Sequence, residues 1–153
     1  MLTSPDFKEL LSLFKKHRVR YLVVGGYAVM KYTEPRFTKD LDLWIATDEE
    51  NAKAVFGALK EFGAPLKGLA PSDFMEKGYF YQMGIPPLRL DIMMSIPGGE
   101  FETAWEHREE VRLEELIIPF IAKRDLISAK EASGRAQDLI DAEQLKKSET
   151  TNR

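Results

Sequence analysis

The 153-residue chain contains no cysteine. That excludes a disulfide framework and any thiolate-bound metal. It has two histidines, His17 and His107. They lie far apart without metal-ligand spacing, so both read as surface residues. No apolar run approaches the ~20 residues of a membrane span. The opening "MLTSPDFKEL" lacks the basic-then-apolar order of a signal peptide. These absences lead to the expectation of a cytoplasmic protein with no membrane partner. A strong charge of one sign is also missing: the net charge is −3 and the sequence pI about 5.5. Coating nucleic acid through bulk charge is thereby disfavoured, while a local basic groove stays open.

Hydrophobic residues make up 44% of the chain and charged residues 31%, enough apolar material for a proper core. The length suggests one domain, expected over 1–147, with 148–153 ("SETTNR") as a disordered tail. No internal repeat is visible.

Ser4-Pro5-Asp6 reads as a helix start, followed by an apolar stripe of Leu10, Leu11, Leu13 and Phe14. "YLVV" reads as a buried strand ended by Gly25-Gly26, and "YAVMKY" as a short helix stopped before Pro35. "DLDLWI" is a second strand. Asp48, or Thr47 before it, caps a helix running to about Phe62. Residues 64–78 are loop-like. "YFYQMG" and "LRLDIMM" are strands, "EVRL" and "LIIPFI" are shorter strand candidates, and a short helix is placed around Trp105. Helices are expected from Arg124 to Ser133 and from Gln137 to Lys147. This order predicts an α/β (α+β) fold, a mixed sheet flanked by helices with two helices at the C-terminal end. Trp44, Tyr79, Phe80, Tyr81 and Trp105 are expected in the core or a pocket wall. Lys15, Lys16, Arg18 and Arg20 form a basic cluster, read first as a solvated face and second as a contact for a polynucleotide.

The informative stretch is "FTKDLDLWIA". Successive strand residues point to opposite faces, so Asp40 and Asp42 share one face while Leu41 and Leu43 share the other. Two neighbouring carboxylates repel, more so when buried. A divalent cation would offset that; Mg²⁺ takes oxygen ligands and often only one or two carboxylates. The plainer alternative is a strand-end pair facing water. Gly25-Gly26 follows an apolar strand and opens a helix, where backbone amides and the helix end favour phosphate; alone it would be an ordinary turn. Asp91, in "RLDIM", is a third strand carboxylate, or else an edge residue paired with Arg89 or Arg36. Taken together, the three elements describe a phosphate cradle and three carboxylates, the equipment of two-metal phosphoryl chemistry.

"VVGGYAVMKYTEPRFTKDLDLWI" resembles the signature of the nucleotidyltransferase fold superfamily, the DNA polymerase β-like group. Arg36, Thr38, Asp40 and Asp42, with Lys130, Gly134-Arg135 and Asp138-Leu139 further on, resemble the small bacterial branch that includes AbiEii-type toxins. The resemblance implies a nucleotidyltransferase moving NMP from an NTP to an acceptor, which could be RNA, protein or a small molecule. Gly25, Gly26, Thr38, Lys39 and Lys130 would contact the nucleotide. Asp40, Asp42 and Asp91 would bind Mg²⁺, and Asp91 would also help deprotonate the acceptor. Arg135 and Asp138 are expected to pair with each other or with a helix end. A partner protein, as in a toxin–antitoxin pair, is implied by the branch alone. One departure stands out: Tyr27 occupies the place of the serine whose hydroxyl touches phosphate in many catalytic members. The alternative is a non-catalytic protein of the same fold. Trp44 stands where a dehalogenase-like Asp-x-Asp-x-Thr site would need threonine.

Overall fold

The computed structural model describes residues 4–36, 38, 40–85 and 88–148. Lys39, expected at the nucleotide, and the tail from 149 onward lie outside these residues. The elements run in chain order as α1 (Pro5–Lys16), β1 (Tyr21–Val24), α2 (Gly25–Tyr32), β2 (Asp40–Ile45), α3 (Glu49–Phe62), a 3₁₀ turn (Pro71–Met75), β3 (Phe80–Ile85), β4 (Leu88–Met93), α4 (Phe101–Glu106), β5 (Glu109–Leu113), β6 (Leu116–Phe120), α5 (Lys123–Ser133) and α6 (Ala136–Lys147). Among the described residues one sheet holds all six strands in the order β3-β4-β2-β1-β6-β5. It is mixed: β2 runs antiparallel to β1 and parallel to β4, while β1 and β6 are parallel.

The helix boundaries have local causes. Pro5 occupies the first turn of α1, although Ser4 makes no side-chain cap bond. Phe7, Leu10, Leu11 and Phe14 form its buried stripe, each burial contributing roughly 1.5–3 kcal/mol. Asp48 caps α3 by accepting a 3.0 Å hydrogen bond from the Asn51 amide. Gly63, at φ 95°, ends α3 in the left-handed conformation.

Alternation along the strands separates two faces. Leu41, Leu43, Leu90 and Ile92 are buried on one face. Phe74 of the 3₁₀ turn packs on Tyr81 at 5.7 Å and on Phe56 of α3 at 6.3 Å, which covers that face toward β3. Asp40, Asp42, Arg89, Asp91 and Met93 alternate with those residues and stay partly accessible. Beyond the end of β1, α2 touches α5 and α6, which pack on each other.

Several sequence expectations need correction. Tyr79 and Phe80 are 64% and 63% exposed and so are not core, but both line a recess with Leu69, Phe74 and Met94, the pocket-wall alternative. His17 and His107 are partly buried and partnered: His17 meets Glu61 at 2.8 Å, and His107 lies between Asp125 at 2.9 Å and Arg124 at 2.8 Å. In the basic cluster, Lys16 pairs with Glu61, and Arg20 pairs with Glu102 and Asp48.

Candidate active site

Strand register builds the site. Val24 pairs with Asp42, Asp42 with Asp91, and Asp91 with Gln82. One row across four strands thus runs from the end of β1 through two carboxylates to the β3 edge. Asp91 lies on an interior strand. Its expected partners are engaged elsewhere: Arg89 leans toward Asp40 at 3.8 Å and Arg36 binds Asp141 at 2.9 Å. Asp91 instead accepts a 2.8 Å hydrogen bond from the Gln82 amide.

The two glycines are required by proximity. Gly25 has φ +70°, and a Cβ there would sit 2.0 Å from Asp42 Oδ2. A Cβ on Gly26 would sit 2.8 Å from Thr38 Oγ1. The Thr38 hydroxyl also reaches the Asp40 carbonyl at 3.5 Å, so Thr38 supports the glycine turn. Tyr27 is buried and packs edge-on against Phe7 at 6.2 Å; its side chain serves the core. Gly25→Ala is expected to cost about 1–2 kcal/mol for the left-handed backbone and to displace the Asp42 carboxylate. Thermal unfolding together with a transfer assay checks this; a variant equal to the parent in both would show that the close approach is dispensable.

Asp42 is held far above the ordinary carboxylate range. Burial is the first cause, followed by the charge of Asp91, a hydrogen bond shared with Asp91 and the charge of Asp40; Lys130 opposes them. Oδ1 of Asp40 is buried and has no hydrogen-bond partner. The carboxylates thus crowd one another, with Lys130 and Arg89, the latter 3.8 Å from that same Asp40 oxygen, as opposing charges, and one oxygen atom accepts no hydrogen bond. Among the described residues no group of three or more His, Asp or Glu side chains is placed to hold a metal ion. Mg²⁺ suits such an open arrangement, since it keeps few carboxylate ligands and fills the rest of its shell with water and phosphate oxygens. Asp42 with a neighbouring carboxylate, Asp40 or Asp91, could offer the one or two oxygen ligands such a shell needs.

A cleft of about 420 Å³ opens beside Asp42. Gly25 and Gly26 line it together with a polar wall of Arg36, Lys130, Arg135, Gln137, Asp138 and Asp141 and an apolar end of Met93, Ile96, Pro97, Leu126 and Ala129. A larger recess of about 540 Å³ adjoins it through Arg36 but holds neither the glycines nor the aspartates; the smaller cleft is where the reactive groups gather. Lys130 reaches this wall but is clamped, 3.0 Å from Asp138 and 3.2 Å from Asp141. Arg135 pairs with Asp138 at 3.0 Å, as expected.

Asp141 is the residue that sequence reasoning missed. It is 1% exposed and accepts from Arg36 at 2.9 Å and Gln137 at 3.0 Å. It joins the loop after α2 to α5 and α6. The available signal was the Asp138–Asp141 spacing of three, which places both carboxylates on one side of a helix. Burial opposes ionisation of Asp138, yet hydrogen bonds from Ser133, Lys130 and Arg135 prevail and hold it down to about 2. A depressed folded value stabilises the fold above the unfolded value near 4, and that stability is lost as pH falls toward 2. Asp138→Asn should flatten the acid side of the stability curve between those limits, measured by denaturant unfolding. An unchanged acid slope would dismiss the network as a source of stability.

This mixed six-stranded sheet flanked by helices is the nucleotidyltransferase fold. No family profile matches the chain and no curated protein matches its sequence. Solved structures do match. The lincosamide antibiotic adenylyltransferase LnuA, in its lincomycin-bound structure, superposes with a TM-score of 0.54 at 18% identity, covering 94% of this chain and 96% of that one. A putative nucleotidyltransferase from Thermotoga maritima superposes with a TM-score of 0.54 at 20% identity, covering 95% and 91%. No helix among the described residues is long and apolar enough to cross a membrane.

Proposed function

We propose that the protein is a Mg²⁺-dependent nucleotidyltransferase that moves NMP from an NTP to an acceptor hydroxyl. The observation that carries this reading is the register pairing of Asp42 with Asp91, placed directly beside the Gly25 turn. The fold neighbours support the reaction class. Asp40 and Asp42 would hold the nucleotide-bound ion, and Asp91 would complete a second site. Mg²⁺ bound there supplies charge neutralisation at the attacking and leaving oxygens. The chain's own groups do the remainder. Gly25 and Gly26 let backbone amides approach the phosphates, and Lys130 and Arg36 offer positive charge along the polar wall. Asp91 takes the proton from the acceptor hydroxyl as it attacks the α-phosphorus. Gln82 fixes one oxygen of Asp91 during that transfer.

The closer affiliation with AbiEii-type proteins, and with it a partner protein and a cytoplasmic setting, belongs to the same proposal. In its support, Arg36 lines one cleft with Lys130, Arg135 and Asp138, which come from the far end of the chain. A second reading, a nucleotide-binding protein without catalysis, has two observations in its favour: the burial of Tyr27 and the clamping of Lys130 by two carboxylates. One experiment separates them. Each NTP, labelled at the α-phosphate, is incubated with the protein, Mg²⁺ and a cell extract, and pyrophosphate is measured. The enzyme reading expects Mg²⁺-dependent pyrophosphate release with label transferred. NTP binding without release would establish the binder, and absence of NTP binding would dismiss both.

A further inference from the structure

The fold divides the basic cluster at the end of α1. Lys16 is engaged by Glu61, and Arg20 by Glu102 and Asp48. Lys15, Arg18 and Arg20 line a recess of about 320 Å³ together with Arg108, Tyr21 and Trp105. The recess lies at the far end of β1 from the aspartates. Tyr21 pairs with Ile45, whereas Val24 pairs with Asp42, ~10 Å further along the strand. Glu110 is the carboxylate among the lining residues, and Arg108 meets it at 3.2 Å.

Several groups in this recess await a ligand of one charge. Arg18 occupies the left-handed region at φ 59°. Its amide bonds to the Lys15 carbonyl and that of Val19 to the Phe14 carbonyl, a helix stop at which glycine is usual because it lacks a Cβ. The chain places an arginine there instead. Among the described residues its guanidinium has neither an ion-pair nor a hydrogen-bond partner. Such strain persists where function requires it. Lys15 donates to the Glu115 carbonyl at 3.2 Å, a neutral partner. Tyr21 is 5% exposed, and among the described residues its hydroxyl makes no hydrogen bond. Burial pushes that hydroxyl up, so it keeps its proton and can donate. Arg108 stacks over Trp105 at 4.0 Å and donates to the Trp105 carbonyl at 2.9 Å, which fixes its planar fork.

Arginine and lysine with a hydroxyl donor suit a phosphate group. Leu11, Val19, Leu116 and Pro119 add a buried apolar wall, which suits an apolar body attached to that phosphate. The volume is that of a small-molecule site. A polynucleotide needs further cations in a row along its backbone, and the next ones in this cluster, Lys16 and Arg20, already face carboxylates. We propose that this recess is a second ligand site, separate from the Asp42 cleft, for a small phosphate monoester whose apolar body rests on the recess wall. Lys15, Arg18, Arg108 and the Tyr21 hydroxyl hold its phosphate.

The test titrates phenyl phosphate and inorganic phosphate into the full chain at neutral pH, with tryptophan fluorescence and calorimetry as readouts. EDTA is present, so that no Mg²⁺ draws either probe to the Asp42 cleft. Phenyl phosphate is expected to bind saturably, more tightly than inorganic phosphate and more weakly as salt rises. Arg18→Gly should weaken it about tenfold or more, the scale of one lost charge-assisted contact. The Tm of that variant should equal or exceed the parent's, because glycine suits the helix stop. Lys15→Gln, at an exposed position on regular helix, should weaken phenyl phosphate similarly, and it serves as the test if glycine loosens the helix end. Both variants should keep the parent's NTP affinity in Mg²⁺. No saturable binding of phenyl phosphate, or equal binding by the parent and both variants, overturns the site. Equal affinity for the two probes overturns the apolar body of the ligand. A single-stranded oligonucleotide that binds more tightly than phenyl phosphate, and loses that binding with Arg18→Gly, overturns the small ligand in favour of a polynucleotide.

Discussion

Asp42→Asn should reduce NMP transfer by about 10³, the scale of removing an essential charge-stabilising group from a reacting centre. Asp42 occupies the middle of the row. It neighbours Asp40 along β2, Asp91 across to β4 and the Gly25 turn on the other side. An amide of the same shape keeps the packing against Gly25 but removes the charge that would hold Mg²⁺ and its triphosphate. Calorimetry should therefore show NTP affinity in Mg²⁺ falling to the level the parent shows in EDTA. Stability should move the other way. In the metal-free parent, burial and the charges of Asp91 and Asp40 raise the folded value of Asp42. A raised folded value means the folded state binds the proton more tightly than the unfolded one. Its contribution is then fully present below the ordinary carboxylate value near 4 and is lost as pH rises toward neutrality. The asparagine variant lacks this loss. In EDTA its Tm should match or exceed the parent's at neutral pH, and its pH slope should be shallower. A lower Tm at neutral pH would assign Asp42 a structural role, and transfer at the parent's rate would remove it from the reaction.

Asp91→Asn should reduce transfer by at least ~10², the usual scale for losing a positioned base, with little change in NTP affinity. Asp91 sits one strand further from the glycine turn than Asp42 and accepts its hydrogen bond from Gln82 at 2.8 Å. Its work is with the acceptor and the second ion, so the loss should appear in turnover rather than in nucleotide binding. Asparagine keeps the shape and can still meet the Gln82 side chain after an amide flip, which limits disturbance of the sheet. Single-turnover transfer and calorimetry on the same preparation measure the two quantities. An equal loss in affinity and rate would move Asp91 to the nucleotide side, and an unchanged rate would leave the base to be sought elsewhere.

The sequence by itself determined the local elements and half of the site. Apolar spacing, Pro5, Asp48 and Gly63 mark helices because their causes are local: a fixed φ, a cap, a left-handed turn. The expected helices and strands lie within a few residues of those found, and "DLD" between leucines already placed two carboxylates on one face, since strand alternation needs no tertiary information. Gly25-Gly26 was legible as a turn, but not the 2.0 Å approach to Asp42 that makes a side chain impossible there. Only the tertiary structure decided register, and register is a relation between strands distant in sequence. It set Asp91 beside Asp42 and Gln82 beside Asp91, it turned Arg89 to Asp40, and it left Tyr79 and Phe80 exposed by making β3 an edge. The same holds for Asp141. Its place on a helix was readable, but a buried carboxylate persists only where cations satisfy it, and Arg36 and Lys130 arrive from elements 105 and 11 residues away only after the helices pack.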